Sequence, residues 1–165
     1  MNSELLILSI PFGYLAAVAP MLAVIDIRSH RLPNSLTLPG IVISLISVLG
    51  VSIIENKWLE LVVTIGVSVL ILIIGYPLAR AELLGMGDIK LLIAFALPLA
   101  FISPLALLIG VLISLALANL VLLPKMILRR LSTQATIPMG PYLIVGLIGI
   151  FGFELSGLMP AGVWS

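Results

Sequence analysis

The sequence predicts an all-α, polytopic membrane protein of about six helices, a single membrane-embedded domain over residues 1–165. Three observations predict it. Hydrophobic residues fill 62% of the positions and charged residues 9%, where a soluble domain runs at about 45–50% and roughly 25%. Mean hydropathy is +1.36, too high for a surface that water must cover. Apolar runs of near-bilayer length recur along the chain, each closed by polar or charged residues; a hydrocarbon core of about 30 Å takes about 20 apolar residues of helix.

The first run is Leu5 to Ile25. It follows Met1-Asn2-Ser3-Glu4, which has no basic region, and it is too long for the apolar core of a signal peptide. Leu38 to Ile54 is the second, ended by Glu55-Asn56-Lys57, and Leu61 to Ala79 the third, ended by Arg80 and Glu82. Ile89 to Leu123 is too long for one span. It breaks at Ile102-Ser103-Pro104, where proline lacks a donor and disfavours helix in the residue before it. That leaves two helices, the first of them short. Pro141 to Pro160 is the last. With six spans, Arg28, Arg31, Arg80, Lys90, Lys125, Arg129 and Arg130 fall on one side and only Lys57 on the other. The basic side is expected to be cytoplasmic, with both termini outside a cytoplasmic (inner) membrane. Serine, threonine and glycine within the spans suit close helix packing in lipid.

Composition also removes chemistry. With no cysteine there is no disulfide and no thiolate, and one histidine excludes a multi-histidine zinc site. A net charge of +1 without a long basic cluster gives no sign of nucleic acid. Of the acids, Glu4, Glu55, Glu60 and Glu154 lie in or beside external ends, where a carboxylate simply meets water. Asp26 and Asp88 differ: one ends the first span and the other opens the fourth, at the same membrane boundary. Brought together, two carboxyls share a proton because both cannot ionise cheaply. The ionised member can take a proton from water and the protonated one can polarise a carbonyl. A helix start favours the anion at Asp88. Gly85 and Gly87 permit backbone angles and close approaches closed to other residues. The plainer reading stays open: Asp88 as a cap of the fourth helix, Asp26 as a partner of Arg28 or Arg31.

Three blocks carry a family resemblance. Asp26-Ile27-Arg28-Ser29-His30-Arg31-Leu32-Pro33-Asn34 resembles the first signature of bacterial type IV prepilin peptidases. Gly85-Met86-Gly87-Asp88-Ile89-Lys90-Leu91-Leu92 is similar to their second, which marks GxGD intramembrane aspartyl proteases. Ile137-Pro138-Met139-Gly140-Pro141-Tyr142 is similar to a third block at the start of their last span. The resemblance implies Asp26 and Asp88 as the catalytic dyad. It implies a prepilin or pseudopilin as substrate, cut at the cytoplasmic face before its hydrophobic segment, and pilus assembly or secretion machinery as further partners.

Only four residues precede the first span and no cysteine is present, so the methyltransferase activity of longer members, which the resemblance places in an N-terminal domain with paired cysteines, is not expected. The short form resembles the peptidases of tight-adherence (Flp) pilus systems, or archaeal preflagellin peptidases. Metal, nucleotide, methyl donor and other cofactors are not expected. Pro33 and Asn34 turn the chain into the second span or shape the site. Lys90 either reaches lipid phosphate or holds the anionic pair. Pro138, Gly140 and Pro141 form a kinked segment beside the dyad or only cap the last span. His30 reads as a solvated loop residue or as a ligand for a substrate carboxylate, and Arg129 and Arg130 as anchors. The rival from another class is a small proton-coupled transporter, since intramembrane acids mark ion paths; acids at one boundary and the lack of an inverted repeat count against it. A non-catalytic assembly subunit would be expected to lose one aspartate.

Overall fold

A computed structural model describes residues 3–29, 32–82, 84–127 and 139–156. They form six α-helices: α1 (Ser3–Ser29), α2 (Asn34–Glu55), α3 (Trp58–Arg80), α4 (Met86–Ile102), α5 (Pro104–Ile127) and α6 (Gly140–Leu155). No strand occurs among the described residues. α1, α2, α3 and α5 are long and apolar enough to cross a membrane. Large side chains such as Leu59, Val62, Ile73 and Leu120 are mostly exposed, and so much bare apolar surface calls for lipid, not water. This is a membrane protein.

α4 is the axis of the bundle. It packs on α2 and α3 most closely and also touches α1, α5 and α6. From Ala94 to Phe101 every one of its residues is buried, the mark of a helix walled in by other helices. Phe12 of α1 stacks on Phe151 of α6 with ring centroids 3.6 Å apart and tilts against Phe95 of α4 at 5.6 Å. Small residues set the close crossings, as expected in lipid, where backbones approach most nearly. The place of a Cβ on Gly75 of α3 lies 3.0 Å from Ile89, and Gly146 of α6 abuts Ser114 of α5. Ser44 of α2 donates to the Ala94 carbonyl at 2.7 Å. At one end of the bundle Lys57 pairs with Glu4 at 2.6 Å, and Ser3 donates to Glu55.

The helices run past the apolar limits expected of them. α1 continues to Ser29, which places Asp26 inside its last turns instead of at its end. α2 starts at Asn34, directly after Pro33, whose carbonyl accepts from the Leu36 and Thr37 amides. α3 runs from Trp58 to Arg80, α5 extends to Ile127, and α6 begins at Gly140. A helix does not stop where hydrocarbon stops, because its backbone bonds also serve in the interface. The break at Ser103-Pro104 falls where proline chemistry puts it: α4 ends at Ile102 and α5 opens with Pro104. α4 and α6 have 17 and 16 residues, about 25 Å of helix at 1.5 Å per residue. α5 has 24, or about 36 Å.

Candidate active site

Three chain segments converge at the end of the bundle opposite the Lys57–Glu4 pair: the end of α1 with Leu32-Pro33-Asn34, the start of α4, and the start of α6. Leu32, only 8% exposed, is the contact they share. A Cβ on Gly87 would lie 2.6 Å from the Leu32 Cβ, and one on Gly140 would lie 3.6 Å from the Leu32 Cδ1. Asn34, two residues on, accepts a 2.7 Å hydrogen bond from the Lys90 ammonium. Gly87 and Lys90 are three apart and share one face of the helix. The segment after α1 is thus clasped along that face at two points, and Asp88 is left to face elsewhere.

The two aspartates, far apart in sequence, are both buried, with exposures of 4% for Asp26 and 8% for Asp88. Asp88 follows Gly87 and Asp26 accepts from Gly140, and both glycines lie against Leu32, which brings the two acids to the same end of the bundle. Each sits at the start of a short helix. Asp26 accepts the backbone N–H of Gly140, the first residue of α6, at 3.0 Å. Pro141 follows inside the first turn, where a missing N–H costs nothing. Asp88 stands in the first turn of α4, whose N-cap is Gly85. Its carboxyl is hydrogen-bonded by the Gly85 backbone, in the manner of an acid reaching back across a first turn. Asp88 therefore does serve its helix start, but not as the N-cap and with only part of its carboxyl. Its Oδ1 is buried with no hydrogen-bond partner among the described residues, and a buried polar atom left so is costly.

The glycines explain themselves locally. A Cβ on Gly85 would lie 2.7 Å from the Asp88 Oδ2, and one on Gly140 would lie 2.9 Å from the Asp26 Oδ2. Each leaves room for one carboxyl, while Gly87 leaves room for Leu32. Pro33 is the N-cap of α2, in extended conformation. Lys90 goes to a neutral amide, not to either acid. Pro138, His30, Arg31, Arg129, Arg130 and Pro160 lie outside the described residues. Leu32 was not singled out from the sequence; its only signal is an apolar side chain stranded between basic residues and Pro33.

The clasp has a measurable strength. Lys90→Met and Asn34→Leu are each expected to lower thermal stability in detergent, and the double variant no further than the worse single. A double-mutant cycle should return an interaction of about 1 kcal/mol, as for a hydrogen bond to a charged group near a surface. Additive losses would mean that the two side chains do not support one another.

A cavity of about 520 Å³ opens beside Asp88, walled by α3, α4, α5 and α6. Apart from Asp88, Ser114 and Tyr142 its lining is apolar, with Leu92 and Leu143 deepest along α4 and α6. The fold and the site together define a helical membrane protein with two buried carboxyls at one end of its bundle, Asp88 of them beside an apolar cavity. Residues 13–123, well over half of the chain, match the model of the type IV leader peptidase family. The chain belongs to that family, and is by family a peptidase. The match includes Asp26 and Asp88 and ends before α6. No curated protein and no solved structure matches the chain.

Proposed function

We propose that the chain is an aspartic endopeptidase of the inner membrane that cuts the leader from a prepilin or pseudopilin at the cytoplasmic face. Asp26 and Asp88 are its catalytic pair. The observation that carries this reading is the pair itself: two buried acids from α1 and α4, each held at a helix start, one with an oxygen that has no hydrogen-bond partner among the described residues. In the reaction the ionised aspartate removes a proton from water as its oxygen attacks the scissile carbonyl. The protonated aspartate donates a hydrogen bond to that carbonyl oxygen, then gives its proton to the leaving nitrogen. Gly85, Gly87, Gly140 and Pro141 shape the pocket, and the Lys90–Asn34 contact with Pro33 holds α1 and α4 in register. The family membership and the membrane-length helices support the reading. A proton-coupled transporter fits less well, because both acids lie at helix ends and not at mid-span.

The direct test is the purified chain in lipid with a candidate prepilin, followed by a mass measurement of the product. A product shortened by the leader supports the reading; an uncut substrate across several pilin-like candidates overturns it. Topology is tested separately. In the six-span arrangement, Ala81 lies on the cytoplasmic side and Glu60 and Ser156 lie outside. The chain has no cysteine of its own, so each variant carries one thiol. Ala81→Cys is expected to react with an impermeant reagent only from the cytoplasm, and Glu60→Cys and Ser156→Cys only from outside. Ala81 and Ser156 labelling from the same side would break the six-span reading.

A further inference from the structure

The cavity beside Asp88 is not an enclosed void. Its flanks come from two helices that do not pack closely together: α3 lies chiefly on α4, and α5 chiefly on α6. Ile74 and Leu78 of α3 and Leu115 of α5 stand at its rim, 55%, 37% and 39% exposed. Its floor is Leu92, one turn along α4 from Asp88. The cleft therefore leads from the lipid-facing flank of the bundle to a buried acid whose Oδ1 has no hydrogen-bond partner among the described residues.

We propose that this α3–α5 cleft receives one face of the apolar membrane helix of the substrate, laid against Leu92 with the scissile bond at Asp88. The proposal rests on the reading of Asp26 and Asp88 as the cleaving pair. Two halves of the cleft have to be matched at once. The apolar walls exclude a polar chain, and the unpartnered carboxyl oxygen calls for a peptide group or water at one end only. A lipid acyl chain satisfies the walls and leaves the acid alone. Water satisfies the acid and leaves the walls bare. A chain that changes from polar to apolar at the cut bond satisfies both. The volume suits such an occupant: about 300–1,000 Å³ is the range of sites that take a ligand, enough for a few side chains at i, i+3 and i+4 but not for a whole helix. This is the helix-in-groove mode of recognition, carried into lipid. It also sets the direction of approach. The Leu32–Asn34 segment covers the opposite face of α4 at Gly87 and Lys90, so substrate enters sideways between α3 and α5.

The test uses the full chain in lipid vesicles with a prepilin bearing its apolar segment. Ile74→Trp and Leu115→Trp fill the rim without touching the acids, and each is expected to raise KM about tenfold with little change in kcat. Unchanged KM in both would overturn the proposal and leave the cleft to lipid. A second measurement does not depend on turnover. Single cysteines are placed by Ile74→Cys and Leu115→Cys in the Asp26→Asn background, with one thiol in the substrate a turn beyond the scissile bond. Cross-links are expected at these two positions and not at the outward-facing controls Val62→Cys and Leu120→Cys, 68% and 71% exposed. Cross-links at the controls alone, equally at all four, or nowhere would overturn it. The catalytic reading fails on a different result, continued cleavage by Asp26→Asn itself, so the two failures are told apart.

Discussion

Replacing either Asp26 or Asp88 by asparagine is expected to remove leader cleavage while leaving the chain folded in the membrane. General acid–base groups contribute about a hundred- to ten-thousand-fold each, and a shared-proton pair cannot work with one member. The fold should survive because asparagine keeps a carbonyl oxygen. In Asp26→Asn that oxygen still accepts the Gly140 N–H, and in Asp88→Asn it still accepts from the Gly85 backbone. Alanine would be less informative, since it would orphan the Gly140 amide as well. The readouts are product mass over time, abundance in membranes and helical content by circular dichroism. More than about a tenth of parental activity in either asparagine variant would remove the pair from the mechanism.

The second large effect is expected at Gly87. Valine there would put its Cβ 2.6 Å from the Leu32 Cβ and 3.1 Å and 3.3 Å from the Leu32 backbone nitrogen and Cα. A backbone cannot swing aside as a side-chain tip can. Relief must come from moving the whole Leu32-Pro33-Asn34 segment, and with it the end of α1 that carries Asp26. Overpacking of this kind costs about 1–3 kcal/mol. Cleavage is expected to fall by more than tenfold, with a lowered unfolding temperature in detergent. Gly66 is the control. A Cβ on it meets nothing within 4 Å, so Gly66→Ala should cost nothing measurable. If Gly87→Val and Gly66→Ala behave alike, Leu32 is not a keystone of the site.

The helices were legible in the sequence because a crossing segment needs a run of about 20 apolar residues, and such runs recur between polar stops. Their ends were not, since α1 runs four residues past Ile25 and α2 starts four before Leu38 through polar positions that hydropathy discounts. Ser103-Pro104 was readable because the apolar run there was too long for one span and a proline stood within it; proline alone would have misled, since Pro11, Pro20, Pro39, Pro77 and Pro98 sit inside helices. Asp26, Asp88 and the glycines beside them stood out as residue types out of place at a membrane boundary. What those glycines accommodate did not: carboxyls at Gly85 and Gly140, an apolar side chain at Gly87. Leu32 looked like any leucine, and its role exists only through contacts with α4 and α6, more than fifty residues away in the chain. Lys90 shows the same limit. An ammonium near acids suggests an ion pair, but the fold turns it across the helix to a neutral amide. The α3–α5 cleft is a property of which helices pack loosely against one another, and no single segment encodes that.

The shortness of α6 reaches beyond the protein. Val145 and Phe153 on its outer flank are 60% and 43% exposed, so hydrocarbon chains must lie along a helix about 25 Å long in a core of about 30 Å. A bilayer that matches such a helix thins beside it by roughly 5 Å, at fractions of a kcal/mol per Å. A thinned leaflet would bring headgroups and water closer to Gly140, whose N–H Asp26 accepts. The hydrolysis proposed for that end of the bundle needs water at a depth where hydrocarbon otherwise excludes it, and a short helix is one way to bring it there.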